Sequence, residues 1–233
     1  MPERVALAWS SGKDSAWTLH RLQQDPQYEV VVLLTTLDTA GNCVTSHGVA
    51  AQLLARQATA VGLPLHRVSL PWPRPNQVYE DAMAAACAQL IDDFQVTHLA
   101  FGDLLLEDVR AYRERILQGS GLCPLFPLWG SHTAALAREM VDGGLQARLS
   151  SVDLGRLPAH LAGCRFDHDL LDALPAHIDP CGENGEFHTF VSAAPPFKDE
   201  LNVTVSAVVA RNGFAYAQLN AADNDPGDIT DTD

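Results

Sequence analysis

The segment Ser10-Ser11-Gly12-Lys13-Asp14-Ser15 directly follows the apolar run Val5-Ala6-Leu7-Ala8-Trp9 and precedes a helical pattern carrying Trp17, Leu19 and Leu22. No other stretch constrains the chain as much. A buried strand must turn sharply on small residues and then open a helix. Such a turn aims backbone N–H groups and a helix N-terminus at one point, which is what a bound phosphate needs. Lys13 adds a mobile positive charge, and Ser10, Ser11 and Ser15 add hydroxyl donors. The spacing is not that of a G-x-x-x-x-G-K-[ST] loop. Only Lys13 and Lys198 are lysines among the 15 basic residues. Where Arg is the usual cation, a Lys in the turn supplies the compact point charge suited to a phosphate. The competing reading is an ordinary strand–helix turn with Asp14 or Ser15 as N-cap.

The first half alternates strand and helix signals. Strands are expected at 5–9, 29–36, 65–70 and 96–101, and helices at 15–24, 47–61 and 77–94. The unbroken Val-Val-Val-Leu-Leu of the second strand suits a central strand covered on both faces. Gly62 and Pro64 stop the second helix. This alternation predicts βαβ units and a Rossmann-like parallel sheet flanked by helices, an α/β fold. Ligands in such sheets bind at the carboxyl ends of the strands. The Ser10 loop, Thr35-Thr36 and Gly102-Asp103 are all expected there. The second half reads as a smaller α+β part, with helices at 104–118 and 133–142 and a strand at 147–152. Pro124–Trp129 reads as a proline-broken connector. Asn212-Gly213 between runs 201–210 and 214–219 is a type I′ hairpin signal. The expected organisation is a nucleotide-binding domain over 1–130, a substrate-binding part over 131–220 and an acidic tail over 221–233.

At 233 residues, with 47% hydrophobic and 19% charged residues, the chain is globular in composition. No apolar run is long enough to span a bilayer. Met1-Pro2-Glu3-Arg4 leads straight into the first strand, so no signal peptide is expected. Five scattered cysteines without a C-x-x-C pair read as reduced thiols in a cytoplasmic protein. The net charge is −14, and the tail contributes five aspartates and no base. Without the tail, 24 acidic residues still face 15 basic ones. An acidic body argues against a nucleic-acid partner such as tRNA. The tail itself reads as a solvated, disordered terminus.

The second dense segment is Cys181-Gly182-Glu183-Asn184-Gly185-Glu186-Phe187-His188-Thr189-Phe190-Val191. Glycines at 182 and 185 permit positive φ or close backbone approach to a ligand. Glu183 and Glu186 could share a site, hold Mg²⁺, bind an ammonium ion or take a proton. By spacing alone, a polar turn into an edge strand is the favoured reading.

Taken in order, the S-S-G-K-D-S loop, Ser46-His47-Gly48, Phe101-Gly102-Asp103, Pro127-Leu128-Trp129 and C-G-E-N-G-E-F-H-T-F-V resemble the ATP-binding domain of the diphthine–ammonia ligase family. That family belongs to the PP-loop ATP pyrophosphatases of the adenine nucleotide alpha-hydrolase superfamily. The resemblance extends to about Leu219. Ser11 stands where a Gly is commoner, which is compatible with the turn if its φ stays negative. The resemblance implies an AMP-forming amide ligase using ATP, Mg²⁺, ammonia and a carboxylate-bearing acceptor, either modified elongation factor 2 or a small molecule. A homodimer is compatible with it. It implies that Ser10, Ser11, Gly12, Lys13, Asp14 and Ser15 hold the phosphates, with Asp14 on Mg²⁺. Thr35, Thr36, Gly102 and Asp103 complete the nucleotide side. Lys13, Asp14, Glu183 and Glu186 are the implied catalytic groups, and His47, Gly182, Asn184, Gly185 and His188 border the acceptor. His47 could equally cap a helix, and Cys181 reads as an inert thiol rather than a nucleophile. Arg110, Arg113 and Arg115 read as a solvated helix face. The alternatives are a PP-loop enzyme acting on tRNA and a non-catalytic ATP sensor.

Overall fold

The computed structural model describes residues 1–38, 43–44, 48–71 and 75–222. His47 and the tail from 223 onward lie outside the described residues. The elements in order are β1 (Glu3–Ala8), α1 (Lys13–Gln24), β2 (Tyr28–Asp38), β3 (Cys43–Val44), α2 (Ala51–Val61), β4 (Leu65–Leu70), α3 (Asn76–Phe94), β5 (His98–Ala100), α4 (Glu107–Ile116), β6 (Cys123–Leu125), α5 (Thr133–Asp142), β7 (Gln146–Asp153), a 3₁₀ turn (Ala159–Leu161), α6 (His168–Ala173), β8 (Phe187–Ala193), β9 (Val203–Arg211) and β10 (Phe214–Ala221).

Strands β4, β2, β1, β5 and β6 form a parallel sheet in that spatial order, with β3 pairing antiparallel to the end of β2. Both faces are covered. Val5, Leu7 and Leu33 pack into one apolar cluster with α1, α2 and α5. Ala6, Val32, Leu34 and Leu99 pack into a second with α3, through Met83, Ala86, Cys87 and Leu90. Alternate residues of one strand thus enter different cores, which is why β1 and β2 read as continuous apolar runs. Burying each large side chain is worth roughly 1.5–3 kcal/mol. The chain leaves β1 toward β2 on one side and returns to β5 on the other. The turn after β1 therefore sits at the topological switch point, where open parallel sheets bind ligands.

The second sheet is antiparallel, in the order β8-β7-β10-β9. Asn212 (φ 51°) and Gly213 (φ 81°) make the expected hairpin turn. The first cluster runs without a break from Val5 and Trp9 through Trp17 and Met140 to Leu149 and Phe190.

Three readings change. The expected connector contains β6, which pairs with β5 through His98↔Cys123 and Leu99↔Pro124. Pro124 is tolerated because β6 is an edge strand and needs fewer ladder donors. Helix α4 starts at Glu107 rather than 104, and α6 was not expected. The Asp167 carboxylate caps α6 by accepting from Leu170 N at 3.0 Å. No helix among the described residues is long and apolar enough to cross a membrane.

Candidate active site

Gly12 is the N-cap of α1, with no side-chain cap. The Ser15 hydroxyl donates to Gly12 O at 2.9 Å, and Ser10 Oγ lies 3.4 Å from Ser15 Oγ. Neither Asp14 nor Ser15 caps the helix. Ser11 is left-handed, with φ 72°. The expected negative φ is therefore wrong, and a non-glycine residue held there costs about 1–2 kcal/mol. Its carbonyl accepts from Val191 N at 3.0 Å and from Gln57 Nε2 at 3.1 Å. These bonds hold the strained turn in place.

Lys13 is 3% exposed, not a mobile cation. Its Nζ donates to both Asp14 carboxylate oxygens at 2.9 Å and to Cys181 O. The rings of Phe166 and Phe187 lie 5.9 and 5.8 Å away. Burial pulls the Lys13 pKa down, but Asp14, Cys181 and Glu183 outweigh it and leave it raised. Lys13 N donates to Thr189 Oγ1 at 3.0 Å. The turn after β1 is thus hydrogen-bonded to β8 at two points, Ser11 O to Val191 N and Lys13 N to Thr189 Oγ1.

A cavity of about 530 Å³ opens above this loop. Ser10, Lys13, Asp14 and Ser15 line it from below. Ser11 and Gly12 are not on its wall; they shape the turn. Thr35 and Thr36 line it from within β2, which continues two residues past them to Asp38. The buried Thr35 hydroxyl has no hydrogen-bond partner among the described residues. Gly102 and Asp103 border the opposite side. A Cβ on Gly102 would lie 3.0 Å from the Asp14 carbonyl carbon, so any side chain here would press against the α1 backbone.

The second motif divides. Gly182, Glu183, Gly185 and His188 line the cavity; Asn184 and Glu186 do not. Glu183 Oε1 accepts from Leu104 N at 3.3 Å and Leu105 N at 3.0 Å, which ties the motif to the loop before α4. Burial, with Asp14 adding to it, raises the Glu183 pKa against these two bonds. Glu186 is fully buried and accepts from Asn184 N at 2.9 Å, Asn184 Nδ2 at 3.1 Å and Asp179 N at 3.3 Å, with Arg156 at 3.4 Å. The two glutamates therefore do not share a site. Glu186 holds the turn that presents Glu183. Burial, aided by Lys13, pushes His188 down to about 4, so its imidazole is neutral near pH 7. Burial pushes the Cys181 thiol up to about 12 despite Lys13 nearby, which suits the inert reading.

Arg113, expected on a solvated helix face, does not sit there. It lines the cavity, donates to Tyr79 OH at 2.9 Å and pairs with Asp103 at 3.5 Å, with its guanidinium 5.0 Å from the Phe101 ring centroid. Burial raises the Asp103 pKa, and Arg113 opposes that rise. Leu106, Val109 and Arg113 lie on one helix face and all line the cavity. That i, i+3, i+7 spacing separates Arg113 from Arg110, which stacks on Phe126 and Trp129, and from Arg115, which pairs with Glu80.

A strand, a tight turn and a buried lysine beside a cavity at a parallel-sheet switch point define an α/β protein with a candidate ligand site at the carboxyl ends of its strands. Residues 3–124 match the family model described as diphthamide synthase N-terminal domain, and residues 132–220 the one described as diphthamide synthase C-terminal domain. The chain belongs to the diphthamide synthase family. Among curated relatives, it is 27% identical over 242 residues to a diphthine–ammonia ligase of Danio rerio, covering 93% of this chain and 92% of that protein. It is 28% identical over 240 residues to that of Homo sapiens, covering 93% and 88%. A solved U34-tRNA thiolase, NcsA from Methanococcus maripaludis with its [4Fe-4S] cluster, overlaps 54% of this chain and 51% of its own at 15% identity, with a TM-score of 0.37.

Proposed function

We propose that this chain is an ATP-dependent, AMP-forming amide ligase. The observation that carries the reading is that Lys13, in the phosphate loop, and Glu183, in the distant second motif, line one cavity. A carboxylate of the acceptor attacks the α-phosphorus of ATP, and pyrophosphate leaves with the bonding electron pair. Ammonia then adds to the acyl carbonyl, AMP departs, and the amide remains. Lys13 and the α1 N-terminus face the charge that develops on the leaving pyrophosphate, in a partly dry site where fixed positive charge counts most. Phosphates arriving at the loop displace the Asp14 carboxylate from Lys13. Asp14 would then be the carboxylate that holds Mg²⁺, a hard cation suited to oxygen donors. The ion supplies charge neutralisation when bound. The neutral His188 and the Glu183 carboxylate border the acceptor side, where ammonia must meet the acyl group. The acceptor is a diphthine-bearing elongation factor 2 or another carboxylate.

The test uses α-labelled ATP, Mg²⁺, ammonium and a host cytosolic extract, beside Lys13→Ala. AMP and pyrophosphate formed by the wild type and absent in the variant support the reading. ADP as the labelled product refutes it.

A further inference from the structure

A second cleft of about 530 Å³ lies on the antiparallel sheet, and none of its lining residues borders the nucleotide cavity. Arg148, Arg165, Asn202 and Val203 are among its walls. Arg148 on β7 and Arg165 form an antiparallel bridge. The flanking bonds Leu149 N to Cys164 O and Phe166 N to Ala147 O, both 2.9 Å, make this a non-hydrogen-bonded pair. That is the closest side-chain register in a sheet, and like charges set opposite each other there repel. Arg148 donates one N–H to Gly163 O at 2.9 Å. The Arg165 guanidinium, exposed, has no partner among the described residues. Two carboxylates also line the cleft. Asp167 is committed to capping α6, and Glu200 is exposed.

The described chain ends beside this cleft. Ala221 pairs with Val203, and Ala222 N donates to Asn202 O at 2.9 Å. The eleven residues beyond, 223–233, carry aspartates at 223, 225, 228, 231 and 233 and no base. Their extended reach is roughly 36 Å, ample to span the cleft from its rim. Tethering puts these carboxylates at an effective concentration of order millimolar. We propose that the Arg148–Arg165 cleft is the docking site for the aspartates of the chain's own acidic tail, whose charge offsets the paired guanidinium groups.

The probe is a fluorescent peptide of residues 223–233, titrated by anisotropy into the full chain and into a full chain whose five tail aspartates are asparagine. The peptide is expected to bind the tail-neutral chain and to bind the wild type about tenfold more weakly, because the wild-type tail competes. On the tail-neutral chain, Arg165→Gln is expected to weaken it about fivefold, Arg165→Lys to restore part of the affinity, and high salt to abolish it. Arg165 is exposed, and equal thermal unfolding of the variants confirms that they fold. The proposal is overturned if the peptide binds wild-type and tail-neutral chains alike, or if Arg165→Gln changes nothing. It is also overturned if inorganic phosphate binds in an Arg165-dependent way while the peptide does not, which would assign the cleft to a free anion.

Discussion

Gln57 is fully buried and holds together three parts of the site. Its Oε1 accepts from Trp9 Nε1 at 2.9 Å, and its Nε2 donates to Val191 O at 2.7 Å and Ser11 O at 3.1 Å. Gln57→Leu keeps the volume and removes all three bonds. Ser11 O keeps its bond from Val191 N. Trp9 Nε1 and Val191 O lose the bonds that Gln57 made to them. Each buried group left unsatisfied costs about 1–3 kcal/mol, so the loss is about 2–5 kcal/mol after the small apolar gain of Leu. For a chain of this length that lowers Tm by roughly 5–15 °C. Gln57→Glu is worse, since it sets a carboxylate against two carbonyl oxygens in a dry site. Urea unfolding followed by tryptophan fluorescence measures the change as a shift in midpoint at unchanged slope. ATP affinity, measured in dilute buffer where the variant is still folded, is expected to fall as well, because Ser11 has lost one of its two tethers. A Gln57→Leu variant within 1 kcal/mol of wild type, as estimated for one net hydrogen bond, with unchanged ATP affinity, would falsify the clamp.

Ser11→Gly relieves a left-handed residue. The gain of about 1–2 kcal/mol is reduced by about 0.5–1 kcal/mol of added unfolded-state entropy, so stability is expected to rise by about 0–1.5 kcal/mol with ATP binding retained. A destabilised glycine variant would show that the Ser11 hydroxyl matters more than the backbone strain. His188 gives a pH signature. Its folded pKa is lowered to about 4 from 6.5, so below 6.5 the unfolded chain takes up the proton first. The stabilisation from the neutral imidazole is present above about pH 6.5 and is lost as pH falls toward 4, an effect of up to roughly 3 kcal/mol. His188→Gln is expected to flatten the fall in Tm across that window; an unchanged slope would mean that other groups carry the acid sensitivity.

Much of this fold is local in origin and was legible from the sequence. The β1–turn–α1 unit, the βαβ alternation and the Asn-Gly hairpin follow from apolar period and turn chemistry, which act over a few residues. What the sequence hid depends on tertiary placement. Glu183 and Glu186 look equivalent in the text. Positive φ at Gly182 (70°) and Gly185 (80°) turns the chain so that one lines the cavity and the other is buried beneath it. Lys13 reads as a free cation, yet Asp14 next door is its counterion and a carbonyl in the second motif accepts another of its N–H groups. Gln57 left one mark that could have been used. It sits in the apolar stripe Leu53, Leu54, Ala58 and Val61 of α2, all buried, and a polar residue on a buried stripe must have partners.

The same contacts bear on what the second half of the chain is for. Its expected task was to select the acceptor. β8 is an edge of its sheet, with β7 on one side. On the other side it is met by the phosphate loop itself: Val191 N bonds Ser11 O, Thr189 Oγ1 takes Lys13 N, and Gln57 takes Val191 O. An exposed edge is a pairing liability, and here the loop covers it. The strain at Ser11 is balanced in part by the Val191 N bond, which exists only when β8 is in place. Glu183 reaches across in the same way to fix Leu104 and Leu105, and with them Asp103 at the far wall of the cavity. The carboxy-terminal motif is therefore part of the frame of the proposed phosphate site. Changes in the second half should weaken nucleotide binding before they alter the choice of acceptor.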